Sequence, residues 1–329
     1  VNRRDALRSF VALGTLELLE VQRLALAADA YPIRPVKLIV PYGPGSVVDV
    51  QARAIAEALS KALGQPIVVE NRPGASGTIG VAFGAKAKPD GYTITVGTAS
   101  NLVVSPALGL RVGFDPLKDF QPITQYSRGG AVLIAHPSLK AKTVQELIAL
   151  AKARPGELAY ASTGATGTGR LAGELFQHEA GIKLLSVPYK TPAFMAVLGN
   201  EVPLGFDFVT VSGPHIRSGA LRALVVTGRN RNRSLPDVPT VAECGFPGAE
   251  IHGWSGVLVP AGTPKDIVAR LHREIVTALS APQVRTVFEE GGSEVPASSP
   301  EEFRATIIAE KAKVDRIVRL AGIRVEETE

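Results

Sequence analysis

The stretch VPYGPGSVVDVQARAIAEAL, residues 40–59, decides the fold. It closes the apolar run VKLIV, turns through Gly43, Pro44, Gly45 and Ser46, and enters an Ala-rich segment with helical spacing. A strand feeding a helix through a glycine turn presents backbone N–H groups at the positive end of the helix. That is a seat for an anion.

Working outward, short β runs and helices alternate after residue 30. PIVVEN precedes ASGTIGVAFGAKA, and YTITVGT follows; later come AVLIAH, VQELIALAKA, ELAYAS, RLAGELFQHEA, LLSVPY, AFMAVLGN, VPLGFDF and LRALVVTG. This order predicts an α/β chain with parallel sheets covered by helices. Three helix starts are signed: Thr143 with Glu146 as a capping box, Ser299-Pro300 with Glu302, and Thr263-Pro264 with Asp266. With 329 residues there is core enough for two lobes.

Composition narrows the function. Lys and Arg number 36 against 31 Asp and Glu, and the resulting +5 is scattered along the chain. With only 5% aromatics, neither a nucleic-acid footprint nor a base-stacking platform is expected. The single cysteine, Cys244, excludes an internal disulfide and cysteine metal clusters. Residues 1–30 carry paired Arg3 and Arg4, an apolar run, and small-residue patterns at Ala25-Leu26-Ala27 and Ala28-Asp29-Ala30. They read as an export signal of twin-arginine type, although Glu17, Glu20 and Arg23 interrupt the apolar core; an amphipathic N-terminal helix is the other reading.

The glycine turn fails the enzyme templates. No lysine follows Gly45 as a P-loop requires. Val48 stands where a dinucleotide fingerprint needs its third glycine, and Pro44 lacks an N–H, although Glu70 could mimic the ribose-binding acid. Neither Ser46 nor Ser162 lies in G-x-S-x-G, and His136, His178, His215, His252 and His272 show no ligand spacing. No nucleophile, base and orienter set emerges, so the chain reads as a binder with no cofactor and no metal.

A second loop supports this. YASTGATGTGRLAGELF, residues 160–176, is again strand, glycine loop and helix. Gly164, Gly167 and Gly169 allow close backbone approach, while Ser162, Thr163, Thr166 and Thr168 add hydroxyls; a flexible surface loop is the alternative for any one such stretch. A third strand end, GTASN, offers Thr98, Ser100 and Asn101. Ligands of open α/β sheets gather at carboxyl ends of strands, and two facing helix N-termini can hold a carboxylate through neutral amide donors. Arg170 is either a clamp for a second carboxylate or a solvated surface residue.

The sequence resembles the substrate-binding proteins of tripartite tricarboxylate transporters, the Bug family, over residues 31–323. The marks are KLIVPYGPG…D (37–49), VVENRPGASGTIG (68–80), PDGYT (89–93), YAS with its glycine loop, LAGELF, VPYK (187–190), LPDVPTVAE (235–243) and PAGTP (260–264). The resemblance implies a two-lobe, type II periplasmic-binding-protein-like fold with a ligand cleft between the lobes. Its two crossing segments fall near residues 125–130 and 252–256. Lobe one is expected over 31–127 plus 254–329, and lobe two over 128–253. It implies a periplasmic, monomeric receptor that captures a small organic carboxylate by hinge closure and delivers it to membrane transporter subunits, with no nucleic-acid partner. By the same resemblance Tyr42, Gly43, Gly45, Ser46 and Asp49 grip the ligand from the first loop, and Ser162, Thr163, Gly164, Thr166 and Thr168 from the second. Asp207 and Phe208 shape the far end, and Tyr189 is either wall or packing. Relatives read Pro-Gly-Gly-Ser-Thr-Asp where this chain has Pro44-Gly45-Ser46-Val47-Val48-Asp49. Two valines for a hydroxyl pair make a drier wall, which favours an aromatic or aliphatic acid over a citrate-like one. A cytoplasmic dinucleotide-dependent enzyme or ligand sensor using the same cleft is the competing function.

Overall fold

The VKLIV run becomes β1 (Val36–Val40), and its four buried side chains explain its apolar reading. The computed structural model describes residues 31–321 apart from Ala165 and Lys190. The expected export signal at residues 1–30, with its arginine pair and cleavage patterns, lies outside the described residues. β1 pairs in parallel with β2 (Ile67–Asn71) and β3 (Thr93–Thr98). The helix Val47–Leu63 follows β1. Ser46 caps it, its hydroxyl accepting the Asp49 N–H, and Gly64 ends it at φ 66°. Ala52, Ile55, Ala56, Leu59 and Leu63 form its buried stripe; a Leu fully withdrawn from water, as Leu59 is, contributes about 1.5–3 kcal/mol.

Two strands reach from one lobe into the other. β4 (Phe120–Ala135) runs for 16 residues. Its first part lies antiparallel to β9 (His252–Pro260), from Phe120 opposite Pro260 to Gly130 opposite His252. β9 also pairs antiparallel with β3. Past Gly130, β4 enters the second lobe between β7 (Leu204–Phe208) and β8 (Arg222–Val226), both antiparallel to it. β5 (Ala159–Thr163) then pairs in parallel with β7 and β6 (Leu185–Tyr189). The path β2-β1-β3-β9-β4-β7-β5-β6 makes two α/β lobes on one curled sheet, with β4 and β9 as the crossing segments.

All-parallel pairing therefore holds within the lobes and fails at the crossing strands. Segments that leave a lobe and return must run in opposite directions. Of the helix starts, Ser299 and Glu302 make the full reciprocal box. Thr143 accepts the Glu146 N–H while Glu146 reaches Lys142 N. The Thr263 cap is not formed: its hydroxyl donates back to Pro260 O, and the helix Lys265–Ser280 begins after an extended Pro264. Among the described residues no helix is long and apolar enough to cross a membrane.

Candidate functional site

The first loop is tied down from inside. Gly45 takes φ 78°, a conformation that favours glycine, and its N–H donates to Asp49 Oδ2 at 2.9 Å. Asp49 is buried and also accepts from Arg53 Nε at 3.0 Å and from Asn71 Nδ2 at 2.7 Å; the same Asn71 amide donates to Tyr42 O. Burial raises this carboxyl, but Arg53, Asn71 and the Gly45 amide outweigh it and hold it below the usual carboxylate range. Asp49 therefore braces the loop from behind and is absent from the cavity lining. The N–H groups of Val47 and Val48, at the first helical turn, have no intrahelical acceptor.

The second loop enters the helix Thr168–Ala180 behind Gly167. Thr163 Oγ1 accepts the Ala193 N–H at 3.0 Å, and Gly164, at φ 71°, donates to Tyr189 O. Thr166 turns toward lobe one. Its carbonyl accepts from Ser100 Oγ at 2.8 Å, and its hydroxyl accepts from Ser105 Oγ at 3.2 Å. These bonds tie the second loop across the cleft to the segment after β3.

A cavity of about 250 Å³ opens between these parts. Of the expected residues, Tyr42, Gly45, Ser46, Thr98, Ser100, Thr163, Thr168, Asp207 and Phe208 line it together. Gly43, Asp49, Ser162, Gly164 and Thr166 stand behind it, and for each there is a local reason. Gly43 O accepts the Ser46 N–H, Ser162 is fully buried within β5, and Gly164 and Thr166 are held in the loop contacts just described. Arg170 lies 3.8 Å from Glu174 one helical turn on and is absent from the lining; Tyr189 packs on the lobe-two core.

The lining is largely neutral. Among its described residues Asp207 is the one carrying a carboxylate, and none carries a basic side chain. The Tyr42 hydroxyl meets Thr98 Oγ1 at 2.9 Å, and burial pushes its phenol up, keeping it a proton donor. Asp207, at the end of β7, accepts the Phe194 N–H at 2.7 Å and the Phe208 N–H at 2.8 Å. Burial pushes its carboxyl up to about 6 against the pull of those two amides.

Sequence reasoning about loops missed the cleft floor. Ser127 and Gly129 of β4, with Gly253, Trp254 and Ser255 of β9, face the cavity beside Val47 and Val48. Gly253 has no room for a side chain, because a Cβ there would sit 2.7 Å from the Phe208 ring. The signal was present only as position, since these residues fall in the segments expected to cross between lobes.

Comparison with known proteins follows the same geometry. The family described as tripartite tricarboxylate transporter family receptor matches residues 51–323. Protein BugT of Bordetella pertussis is 38% identical over 306 residues, covering 92% of this chain and 92% of the relative. The solved structure of R. palustris Rpa4515 with adipate superposes with a TM-score of 0.84 at 35% identity, covering 89% of this chain and 99% of that one. MatC (Rpa3494) from Rhodopseudomonas palustris with bound malate gives a TM-score of 0.80 at 30% identity, covering 88% and 100%.

Proposed function

The chain belongs to the tripartite tricarboxylate transporter receptor family, and on that premise we propose that its cleft holds a small aliphatic or aromatic acid by one carboxylate. The observation that carries this reading is the convergence of two helix N-termini, at Val47 and Thr168, with Thr98 and Ser100 on one cavity. Helix amides and hydroxyls hold a carboxylate through charge-assisted bonds worth roughly 1.5–3 kcal/mol each. At about 250 Å³ the cavity falls just below the range for drug-sized ligands and suits a small acid. Val47, Val48, Phe206, Phe208 and Val211 give the rest of the ligand an apolar wall. The adipate and malate held by the two solved relatives support a small organic acid as the ligand class.

Lobe one comprises residues 31–127 plus 254–321 and lobe two residues 128–253, and ligand bridging them selects the closed state. The family is one of periplasmic receptors; for this chain we assign export to the Arg3-Arg4 segment and no catalytic turnover. Thermal-shift and calorimetric titration with benzoate, hexanoate, adipate, malate, citrate and NAD tests the reading. Stabilisation by an aliphatic or aromatic acid with no response to NAD is expected. Stabilisation by citrate alone overturns the ligand class, and binding of NAD overturns the receptor.

A further inference from the structure

A second hollow, larger than the cleft, lies toward the other face of the crossing strands. Register pairs Ser127 with Ser255 and Gly129 with Gly253, and these four face the carboxylate cleft. Side chains alternate along a strand, so Gly130 and its partner His252 face the opposite way. There they floor a recess of about 650 Å³. One wall is the lobe-two loop after β8, which carries Arg229, Arg231 and Arg233. The other is the lobe-one helix Pro282–Glu290 with the segment after it, which carries Arg285, Glu289 and Glu294. The loop is seated closely on the strands: Gly130 and Gly228 leave no space for a side chain between them, and Asn232 Nδ2 donates to Gly292 O at 2.9 Å across the gap.

The charges do not cancel. Arg231 is forked onto Glu243 at 2.9 and 3.0 Å, and Arg285 pairs with Glu289 at 3.1 Å. Arg229 and Arg233 have no carboxylate within ion-pair distance among the described residues, and the one remaining acid of the lining is Glu294. His252 reports the resulting field. Its Nε2 accepts the Arg229 N–H at 3.2 Å, and burial together with Arg128, Lys313 and Arg229 pushes its pKa down to about 3, so the ring is neutral. The guanidinium forks of Arg229 and Arg233, with the Asn230 side-chain amide beside them, match a tetrahedral oxyanion, which takes several N–H donors and more than one positive charge.

We propose that this hinge-face recess is a second binding site, for a small soluble multivalent oxyanion of the phosphate class, held by Arg229 and Arg233. A recess floored by backbone and walled by both lobes admits a small solute. The recess borders the carboxylate cleft through Gly129 and Ser293, but neither Arg229 nor Arg233 lines that cleft.

Calorimetric titration of the full chain with inorganic pyrophosphate at low ionic strength tests it. Saturable one-to-one binding is expected, weakened about tenfold or more in Arg229→Ala/Arg233→Ala and in the gentler Arg233→Gln. Arg273→Ala, which removes an exposed arginine paired with Glu274, should bind as wild type. Absence of saturable binding, or equal loss in Arg273→Ala and in the double variant, overturns the site. Flotation with phosphatidylglycerol vesicles without pyrophosphate binding assigns the arginines to a membrane surface and overturns it too. Failure of the carboxylate panel leaves the loss in the arginine variants untouched, because neither Arg229 nor Arg233 lines that cleft.

Discussion

Replacing Asp207 by Asn separates the two things this buried carboxylate does. As an acceptor it receives the Phe194 and Phe208 amides; as an acid it is pushed from 3.8 up to about 6 by burial. A native carboxyl with a raised pKa binds its proton more tightly than the unfolded chain does. Its charge therefore costs nothing below about pH 4, costs progressively more as pH rises toward 6, and reaches a plateau above it. A rise of about two pKa units corresponds to about 3 kcal/mol. Asn carries no charge at any pH but turns a donor toward one of the two amides, a mismatch of about 1–3 kcal/mol that does not depend on pH. Urea unfolding of the ligand-free protein and the Asp207→Asn variant at pH 4.0 and pH 7.5 isolates the ionisation, since all other groups cancel in the difference. The variant should be less stable than the parent at pH 4.0 and gain about 2–3 kcal/mol relative to it by pH 7.5, which closes or reverses the deficit. A difference constant between the two pH values, or one that grows with pH, refutes the reasoning.

The same ionisation sets a second expectation: affinity for the best acid of the panel rises from pH 7.5 to pH 5.5, as protonation of Asp207 removes a negative charge from the cavity wall, and calorimetry should find that rise missing in Asp207→Asn. Asp49→Ala strips the acceptor shared by Gly45, Arg53 and Asn71 while Arg53 remains half in water; a cost of about 1–3 kcal/mol is expected in urea unfolding, with weaker ligand binding even where the fold persists. In Gly253→Ala the new methyl drives the Phe208 ring out of place, costing about 1–3 kcal/mol and lowering affinity well beyond any change in global stability. Ser100→Ala removes the bond to Thr166 O that ties the second loop to lobe one; affinity should fall by about 1 kcal/mol, measured against a thermal midpoint close to that of the parent.

How far the sequence was legible depends on how local each determinant is. VKLIV with its glycine turn, the Thr143–Glu146 box and the Ser299–Glu302 box are written within a few residues, and each forms as read. QPITQYSRGG and HGWSGVLVP gave no strand signal, because Pro, Gly and Ser break both the apolar run and the alternation. They are strands because each is the other's partner, and the nine residues of β9 are all buried by neighbours distant in sequence. Thr263 shows the converse: its spacing is right for a cap, but its hydroxyl turns back to donate to Pro260 O and the helix begins only after Pro264.

The site divides along the same line. Two glycine loops opening helices can be read from sequence because backbone donors at a helix start need no distant partner. Which atoms of those loops stay available is a tertiary matter. Asp49 and Thr166 have the right chemistry, yet Arg53 and Asn71 draw one inward while Ser100 and Ser105 draw the other across the cleft. The sequence alone determined the strand–turn–helix units and the family they belong to, because those rest on short-range geometry. Only the tertiary structure decided the cleft floor, the isolation of Asp207 from water and the arginine recess behind the hinge, because each needs residues brought together by the crossing of β4 and β9.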